Sequence, residues 1–376
     1  MHRINRRALL RNLAGWGAAS AMGAHLQRTL AAAPASAAGM RISRYEIYRT
    51  RVPWAERVRE IAILNWRREN MDVPNSPHTV VKIHTDDGLV GIGEGGSEAL
   101  LKSMVGHSPW EYVFNDRIGG AQTAIYDLLG KATGLPACNL LSPSPKKRIV
   151  QAYWSLSYPP DKLAAEAKLG ASMGYRVHKV KIRAWEDPVA QAHAIFAAVP
   201  SDYRVWGDTN HCWGSVARTL YYSAKLAEIP GYFGLESPVT STETYLQLKG
   251  KVPLRLAEHW GVVDPMLTAR EGVLDACITA SPTFGATMFR MNAYGQFYHI
   301  PLWDESSCWS GIGLAVQAHQ AAAYPAIEFT VNAAVTAEDD LIKEPFAMKD
   351  GLCDIPQKPG LGFTLDEDAV DKYRIR

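Results

Sequence analysis

Four polar clusters recur along the middle of the chain, and each one closes a short apolar run. Their key residues are Lys181, Asp208, Glu236 and Glu258, which are separated by 27, 28 and 22 residues. An interval of this length accommodates one strand and one returning helix, so the clusters would lie side by side at the carboxyl ends of parallel strands. The spacing therefore predicts an α/β fold in which strands and helices alternate around a barrel.

The residues before this region predict a smaller α+β domain. Its expected elements are two alternating strands, 41–51 and 79–84, and two helices near 100–105 and 121–132. The turn sequence Asp87-Gly88 closes the second strand. The sequence Ser142-Pro143-Ser144-Pro145 marks the boundary with the barrel, because prolines at this density interrupt both helices and strands.

The acidic clusters predict a site for a hard metal ion. The candidate ligands Asp208, Glu236 and Glu258 all offer carboxylate oxygens, and the sequence has no cysteine or histidine set at zinc spacing. Mg²⁺ fits best because it accepts a few carboxylates and keeps positions for water or substrate. Each motif alone also fits a solvated strand end or a turn acceptor, but the repeated spacing favours one shared site with one Mg²⁺ per subunit.

The segment 175–183 predicts the base of a reaction. Alternation places Lys179 and Lys181 on one face of a strand, with His178 and Val180 on the other. Two ammonium groups this close disfavour each other's charge, so the pKa of at least one lysine falls below about 10.4 and that lysine can act as a base. The expected chemistry is removal of the proton alpha to a carboxylate, with the metal and the second lysine holding the enediolate.

Three longer strings resemble those of a known family. They are the run from Thr79 to Glu94, the run from Ala121 to Ala132, and Pro359-Gly360-Leu361-Gly362. From about Met40 to the C-terminus, the chain resembles the enolase superfamily, of the mandelate racemase and muconate lactonizing type.

The resemblance implies a fold and an assembly. The expected fold is a modified (β/α)8 barrel of the TIM type over residues 146–349, with an N-terminal α+β capping domain over 38–145 that residues 350–376 complete. Members of this family often form homo-oligomers, so we expect this chain to do the same.

The resemblance also implies roles for the polar clusters. It assigns Mg²⁺ to Asp208, Glu236 and Glu258, the base to Lys181, an electrostatic role to Lys179, and a place near the substrate or the metal to Asn210. The sequence departs from the family where a second base is expected. Ala280 stands near the place of the acid or lysine of the sixth barrel strand, and no histidine lies in 303–306. The candidates for a different second acid are Asp304, Glu305, His299 and Tyr298.

A reaction that needs only one base is compatible with the absence of the family's second base. The leading hypothesis is a Mg²⁺-dependent dehydratase, in which Lys181 takes the alpha proton of a hydroxylated sugar acid and loss of the beta hydroxyl gives a 2-keto acid. A racemase, epimerase or cycloisomerase acting on a carboxylate is the alternative, with Glu305 as a possible acid. A hypothesis of another class is a non-catalytic periplasmic protein that binds acids.

The capping domain is expected to select the substrate. Its stretch 52–77 is aromatic and charged, and loops of this kind commonly close over a barrel mouth. Trp54 in this stretch, Tyr153 on the first barrel strand and His259 beside Glu258 are the expected substrate-binding residues, together with Asn210.

The N-terminus resembles an export signal. The run from Asn5 to Arg11 resembles a twin-arginine motif, a weakly apolar stretch follows, and Ala35-Ser36-Ala37 resembles a cleavage site. Residues 1–37 are therefore predicted to be a signal peptide for the periplasm, without stable membrane insertion after cleavage. An amphipathic surface helix is the alternative.

The charge balance bears on the choice of partner. A net charge of +2 and scattered basic residues exclude a broad basic surface for nucleic acid, so a small carboxylate is the expected partner. The five cysteines are too sparse for a disulfide framework, although they permit one pair.

Overall fold

The computed structural model describes residues 39–59, 61, 78–306 and 308–375, together with residues 24, 25 and 28. Most of the predicted signal peptide and most of the stretch 52–77 lie outside the described residues. Within the described part, no helix is both long enough and apolar enough to cross a membrane. All five cysteines are free thiols, so the one pair that the sequence permits is not formed.

The N-terminal region forms a three-stranded antiparallel sheet with helices packed on it. Its elements are the strands β1 (Ile42–Thr50), β2 (His78–Thr85) and β3 (Val90–Glu94) and the helices α1 (Glu98–Met104), α2 (Ala121–Thr133) and α3 (Ala137–Leu141). Most residues of α2 are buried, because the helix packs on this sheet and also contacts the barrel domain. The rings of Tyr126 and Phe284 stack with centroids 4.6 Å apart, and Gly285 N donates to Gln122 Oε1 at 2.8 Å. The predicted α+β domain is confirmed.

Eight parallel strands form a closed barrel, because β11 pairs with β4. The strands are β4 (Arg148–Ser155), β5 (Val177–Lys181), β6 (Arg204–Asp208), β7 (Tyr232–Glu236), β8 (Arg255–His259), β9 (Ala276–Thr279), β10 (Leu302–Asp304) and β11 (Ile327–Asn332). The helices between them are α4 (Pro160–Ser172), α5 (Pro188–Ala198), α6 (Val216–Ala227), α7 (Thr242–Leu248), α8 (Pro265–Glu271), α9 (Ala286–Tyr298) and α10 (Gly311–Ala323). This architecture confirms the predicted α/β barrel.

The chain after β11 departs from the regular alternation. In place of an eighth helix, residues 333–366, all of them described, contain a short 3₁₀ turn and the hairpin β12 (Met348–Lys349) and β13 (Leu352–Asp354). Strand β13 pairs antiparallel with β4. The last helix, α11 (Glu367–Lys372), then brings the chain back to the N-terminal sheet, where Arg51 N donates to Tyr373 O at 2.9 Å. The exact domain limits near 145 and 350 stay predictions.

A buried carboxylate joins the N-terminal domain to this returning segment. Asp127 on α2 accepts hydrogen bonds from Ile92 N at 2.7 Å, Leu361 N at 2.8 Å and Lys131 Nζ at 2.6 Å. The backbone must approach closely here, since a Cβ added to Gly130 would lie 2.5 Å from the Cα of Gly360. The glycines allow the approach, and the carboxylate satisfies the amides that it buries.

An aromatic cluster fills the barrel below the carboxyl ends of the strands. The rings of Trp206, Trp303 and Phe329 are fully or almost fully buried, and their centroids lie 5.0 to 5.8 Å apart. Trp206 Nε1 donates to Glu236 Oε2 at 3.0 Å. The cluster therefore closes the barrel interior and supports one of the acidic residues directly above it.

Glu94 on β3 joins the capping sheet to the barrel. One of its carboxylate oxygens accepts from His78 Nδ1 and the other from Ser310 Oγ, and Ser310 caps α10 by accepting from Gly313 N at 3.0 Å. Burial disfavours the charged form of His78, but the charges of Glu94 and Asp340 more than offset it, so the pKa of His78 is raised.

The contact between His78 and Glu94 predicts that the stability of the protein depends on pH. The stabilising contribution of the His78 imidazolium is complete below the unfolded-state pKa of about 6.5 and is lost as the pH rises through the higher folded-state pKa. The free energy of unfolding of the wild type should therefore fall between neutral and alkaline pH more than that of His78→Gln, as measured by urea denaturation at a series of pH values. His107→Gln removes an exposed imidazole and should follow the wild type. Parallel curves for wild type and His78→Gln would contradict the prediction.

Candidate active site

The strand register brings three of the predicted clusters into one layer. Lys181 on β5 lies opposite Asp208 on β6, and Asp208 lies opposite Glu236 on β7. Neighbouring residues in a parallel sheet point to the same face, so these side chains all enter the barrel mouth. The prediction that Lys179 and Lys181 share the inner face agrees with their contacts to these carboxylates.

Lys179 lies at the centre of the layer. Its side chain is 0% exposed, and its Nζ lies 3.0 Å from Asp208 Oδ2 and 2.9 Å from Glu236 Oε1. It also contacts Glu305, which follows β10 on the other side of the barrel. Burial disfavours the ammonium form, but the carboxylates of Asp208 and Glu236 overcome this effect, so the pKa of Lys179 is raised. Lys179 therefore stays charged.

Lys181 has the opposite electrostatic environment. Its Nζ contacts Asp208 Oδ2 and lies 5.8 Å from the centroid of the Trp154 ring. Burial lowers the pKa of Lys181; Asp208 opposes this shift only in part, and the charge of Lys179 adds to it. One lysine with a lowered pKa was expected from mutual repulsion, but the larger cause is burial. The arrangement makes Lys181 the better base of the two.

The two lysines determine the charge of Asp208. Burial alone would raise the pKa of this carboxyl, but Lys179 and Lys181 hold it well below its ordinary value. Asn210 N donates to Asp208 Oδ1 at 2.8 Å, and Asn210 adopts a left-handed backbone with φ of 44°. The predicted place of Asn210 beside the acidic cluster therefore agrees with its contacts.

Glu258 points away from the other two predicted ligands. Ala257, not Glu258, lies opposite Glu236, so alternation turns Glu258 toward the helical layer. Its four hydrogen bonds come from Ser237 Oγ at 2.9 Å, His259 N at 2.6 Å, His211 Nε2 at 2.8 Å and Tyr245 OH at 2.5 Å. Four accepted bonds fill the capacity of a carboxylate. In this arrangement Glu258 is held by its own set of donors, two of which, His211 and Ser237, follow β6 and β7, and its assignment to the metal with Asp208 and Glu236 stays a prediction.

A different set of donors converges on Glu236. Glu236, His259 and Glu305 each offer a ligand atom, and these atoms lie within 4.8 Å of one another. His259 Nε2 lies 3.5 Å from Glu236 Oε1. Two carboxylates and an imidazole fit a divalent cation. The sequence assigned only Glu236 of this set to the metal, with His259 expected at the substrate and Glu305 in catalysis.

Asp304 is not placed for catalysis. Trp303 before it packs into the barrel, so Asp304 faces the opposite side of the wall, where its Oδ1 accepts from Thr279 Oγ1 at 2.9 Å and from Ser306 N at 3.0 Å. Burial raises its pKa to about 6. The predicted catalytic role of Asp304 is corrected to a structural one, because Glu305 is the residue of this pair that turns inward.

Tyr153 is likewise corrected. Its hydroxyl donates to Glu166 Oε2 on α4 at 2.7 Å, so its ring lies between the barrel wall and the helices. The next residue, Trp154, points inward and contacts Trp309 with ring centroids 5.0 Å apart. Trp309 in turn contacts Trp54, with centroids 6.0 Å apart. Trp54 is thus linked through Trp309 to the ring of Trp154, and its substrate-binding role stays a prediction.

Three residues of the site were not predicted from the sequence. His211 directly follows the cluster that contains Asp208 and Asn210, so its position was a usable signal. Trp309 lies in a loop after β10, and Tyr245 reaches Glu258 from helix α7, outside the barrel. No spacing in the sequence indicates the last two contacts, because both depend on how the helices and loops pack.

Comparison with known proteins identifies the family. The family described as Enolase C-terminal domain-like matches residues 162–369, more than half of the 376 residues. The chain belongs to the enolase superfamily. The resemblance seen in the sequence is confirmed, and members of the superfamily typically use Mg²⁺.

Individual relatives of this enolase-superfamily chain catalyse different reactions. The arabinonate dehydratase of Saccharolobus solfataricus is 26% identical over 344 residues, which cover 78% of this chain and 90% of the relative. Muconate cycloisomerase 1 of Rhodococcus opacus is 27% identical over 263 residues, covering 66% and 70%. The structure of 2-chloromuconate cycloisomerase from Rhodococcus opacus 1CP superposes with a TM-score of 0.72 at 19% identity, covering 90% and 100%, and shows the shared fold.

The contacts of Glu258 predict the effect of removing one hydroxyl. Tyr245→Phe deletes a donor to a buried carboxylate and should lower the free energy of unfolding by about 1–3 kcal/mol, as measured by urea denaturation. Tyr203→Phe is a matched control, because the buried Tyr203 hydroxyl has no hydrogen-bond partner among the described residues. Equal stability of the two variants would show that the Tyr245 bond to Glu258 contributes nothing.

Proposed function

We propose that the chain is a dehydratase that removes the proton alpha to the carboxylate of a hydroxylated sugar acid and releases a 2-keto acid. One observation carries this proposal: two buried lysines lie in the barrel mouth beside the carboxylates of Asp208 and Glu236, with the pKa of Lys181 lowered and that of Lys179 raised. The arabinonate dehydratase relative supports water loss as the reaction.

Lys181 and Lys179 divide the work in the proposed mechanism. Lys181 Nζ, with its lowered pKa, takes the alpha proton, while Lys179 keeps its proton and stabilises the negative charge of the enediolate. The cation held by Glu236, His259 and Glu305 would supply Lewis-acid stabilisation of the same charge. Asp208 keeps Lys181 in place through their direct contact.

The second half of the reaction is assigned to the far side of the mouth. Glu305 follows β10, across the barrel from Lys181, and it contacts the Lys179 ammonium. Glu305 in its acid form donates a proton to the departing beta hydroxyl, which leaves as water when the carbon–oxygen bond breaks, while Lys179 keeps its own proton. The enol that remains then tautomerises to the 2-keto acid. Trp154 and Trp309 form the wall beside Lys181, and Trp54 extends it toward the capping domain.

The muconate cycloisomerase relative supports an alternative reaction. In a racemase, epimerase or cycloisomerase, Lys181 would remove the same proton, and the carbon would be reprotonated or would react without loss of water. Glu305 would then be the acid on the opposite face. The two reactions share the first step and differ in the product.

The setting of the reaction is proposed from the sequence alone. The resemblance of the run from Asn5 to Arg11 to a twin-arginine motif supports export to the periplasm, where acids released from polymers would be accessible substrates. A homo-oligomer is proposed by resemblance to the family.

Substrate turnover tests the reaction and its base. The protein is incubated with aldonic, uronic and aldaric acids and Mg²⁺ in D₂O, and semicarbazide detects 2-keto acids. We expect keto-acid formation with at least one acid, and a loss in kcat of about 10²–10⁴-fold in Lys181→Met, because general-base catalysis contributes a factor of this size. Lys249→Met removes a lysine that pairs with Glu271 at the surface and should retain the wild-type rate.

Other outcomes select other functions. Recovery of deuterated substrate with inverted configuration favours the racemase or epimerase. Binding of an acid by calorimetry with no proton exchange at saturating Mg²⁺ favours the non-catalytic binding protein. Unchanged turnover in Lys181→Met excludes Lys181 as the base.

A further inference from the structure

Three tryptophans form an aromatic wall beside Lys181. The ring centroids of Trp54 and Trp309 lie 6.0 Å apart, and those of Trp309 and Trp154 lie 5.0 Å apart. Lys181 Nζ lies 5.8 Å from the centroid of the Trp154 ring. The position of this wall therefore determines the space beside the amine.

The segment 53–59 carries Trp54 and lies along the loop that follows β11. Ala55 N donates to Thr336 O at 2.9 Å. Trp54 is almost fully buried and Val58 is fully buried, and both belong to the core cluster of the barrel. The segment precedes the capping strands β2 and β3 in the chain, but these contacts are with the barrel.

Arg57 anchors this segment to the outside of the barrel. Its Nε donates to Glu166 Oε1 on α4 at 3.1 Å, and its Nη2 donates to Val335 O at 2.6 Å. The Arg57 side chain is 35% exposed and that of Glu166 is 9% exposed, so solvent screens this ion pair less than a fully exposed one. A planar guanidinium holds both partners in one fixed geometry, which a lysine ammonium does not.

Glu166 connects this anchor to the other end of the wall. Its second oxygen, Oε2, accepts from Tyr153 OH at 2.7 Å, and Tyr153 directly precedes Trp154 on β4. One carboxylate therefore links the two pieces of chain that carry Trp54 and Trp154. Because β4 is already paired with β5 and β11, the link chiefly restrains the segment that carries Trp54.

We propose that the ion pair of Arg57 with Glu166 positions Trp54 against Trp309 and thereby sets which sugar acids the site accepts. Arg57 and Glu166 are positioning residues, because they act through Trp54 and do not touch the substrate. The inference rests on the proposed function, which supplies the acid. It differs from a purely structural ion pair in its consequence, since loss of the pair changes the wall and the selectivity as well as the stability.

Circular dichroism of the tryptophans tests the positioning without any substrate. Closely spaced indole rings give a coupled signal that depends on their mutual orientation, but the chain has 11 tryptophans. The contribution of Trp54 is therefore isolated as the difference between the spectra of the wild type and Trp54→Phe, and the same difference is taken with Arg57→Met in both proteins. We expect this Trp54 difference spectrum to lose most of its amplitude with Arg57→Met and part of it with Arg57→Lys.

Kinetics with the acids that the protein turns over test the selectivity. Arg57→Met should raise KM for the preferred acid by about three- to tenfold and leave kcat within about twofold, because the wall contributes to binding and not to proton transfer. The preference for that acid over shorter or longer ones, taken as a ratio of kcat/KM values, should become smaller. Arg57→Lys should recover part of the lost affinity.

Another arginine supplies the matched control. Arg176 precedes β5, its Nε lies 3.3 Å from Asp202 Oδ2, and its Nη1 donates to Ala171 O at 3.3 Å. Its side chain is 29% exposed, so Arg176→Met removes a similar pair of contacts at a place that does not touch the wall. This variant should keep the KM, the selectivity and the Trp54 difference spectrum of the wild type.

Glu166→Gln tests the same ion pair from its other side, and it takes the place of Arg57→Met if that variant does not fold. The amide keeps the size of the side chain and removes the charge. Its effects should equal those of Arg57→Met, and the double variant should show no further change, because the two residues act through one contact. Tyr153→Phe should have a smaller effect, since strand pairing keeps Trp154 in place.

The outcomes separate this proposal from the proposed function. An unchanged Trp54 difference spectrum in Arg57→Met and Glu166→Gln overturns the positioning, whatever happens to the stability. A changed spectrum with unchanged KM and selectivity overturns the role in substrate choice. If the wild type turns over no acid but the spectrum changes in both variants, the proposed function is overturned and the positioning of Trp54 by the ion pair is supported.

Discussion

Burial of several carboxylates in one barrel mouth is possible only if positive charge is buried with them. Lys179 meets this requirement for Asp208, Glu236 and Glu305 at once, and Lys181 adds a second contact to Asp208. The cost of removing these groups from water is offset only in this close arrangement. The reactivity of the site follows from the same contacts, because they keep one amine charged and let burial lower the pKa of the other.

The register of the barrel strands and the aromatic side chains beneath the charged residues make this arrangement possible. The pairing of β5, β6 and β7 places their last residues at one height, and Trp206, Trp303 and Phe329 fill the barrel beneath them. These side chains are buried and occupy the barrel interior beneath the charged layer. The charged groups therefore lie directly above a layer of aromatic rings. The pKa of a lysine is lowered there when nearby carboxylates do not fully offset the effect of burial.

The sequence predicted the barrel and much of the site, because spacing and alternation report directly on strands. The 27-residue and 28-residue intervals identified Lys181, Asp208 and Glu236 as neighbours, and their register agrees. Glu258 lay at a shorter interval, and one position of difference turned its side chain to the other face of the sheet.

The sequence pattern did not predict the direction of a side chain where packing determines that direction. Tyr153 and Trp154 are adjacent aromatic residues, and so are the acids Asp304 and Glu305. Composition alone does not tell which member of each pair points inward, because a one-residue shift of register exchanges them. Contacts from outside the barrel, such as that of Tyr245 on α7 with Glu258, follow from helix packing and leave no periodic signal.

The start of α10 joins two parts of the molecule that appear separate in the sequence. Ser310 holds Glu94 of the capping sheet, while the preceding residue, Trp309, touches both Trp54 and Trp154. Two consecutive residues, Trp309 and Ser310, therefore fix both the position of the capping sheet on the barrel and the shape of the wall beside Lys181. Evolution of a new substrate range through changes in the capping sheet would then also alter the surroundings of the Lys181 amine, so selectivity and the reactivity of that amine are expected to change together.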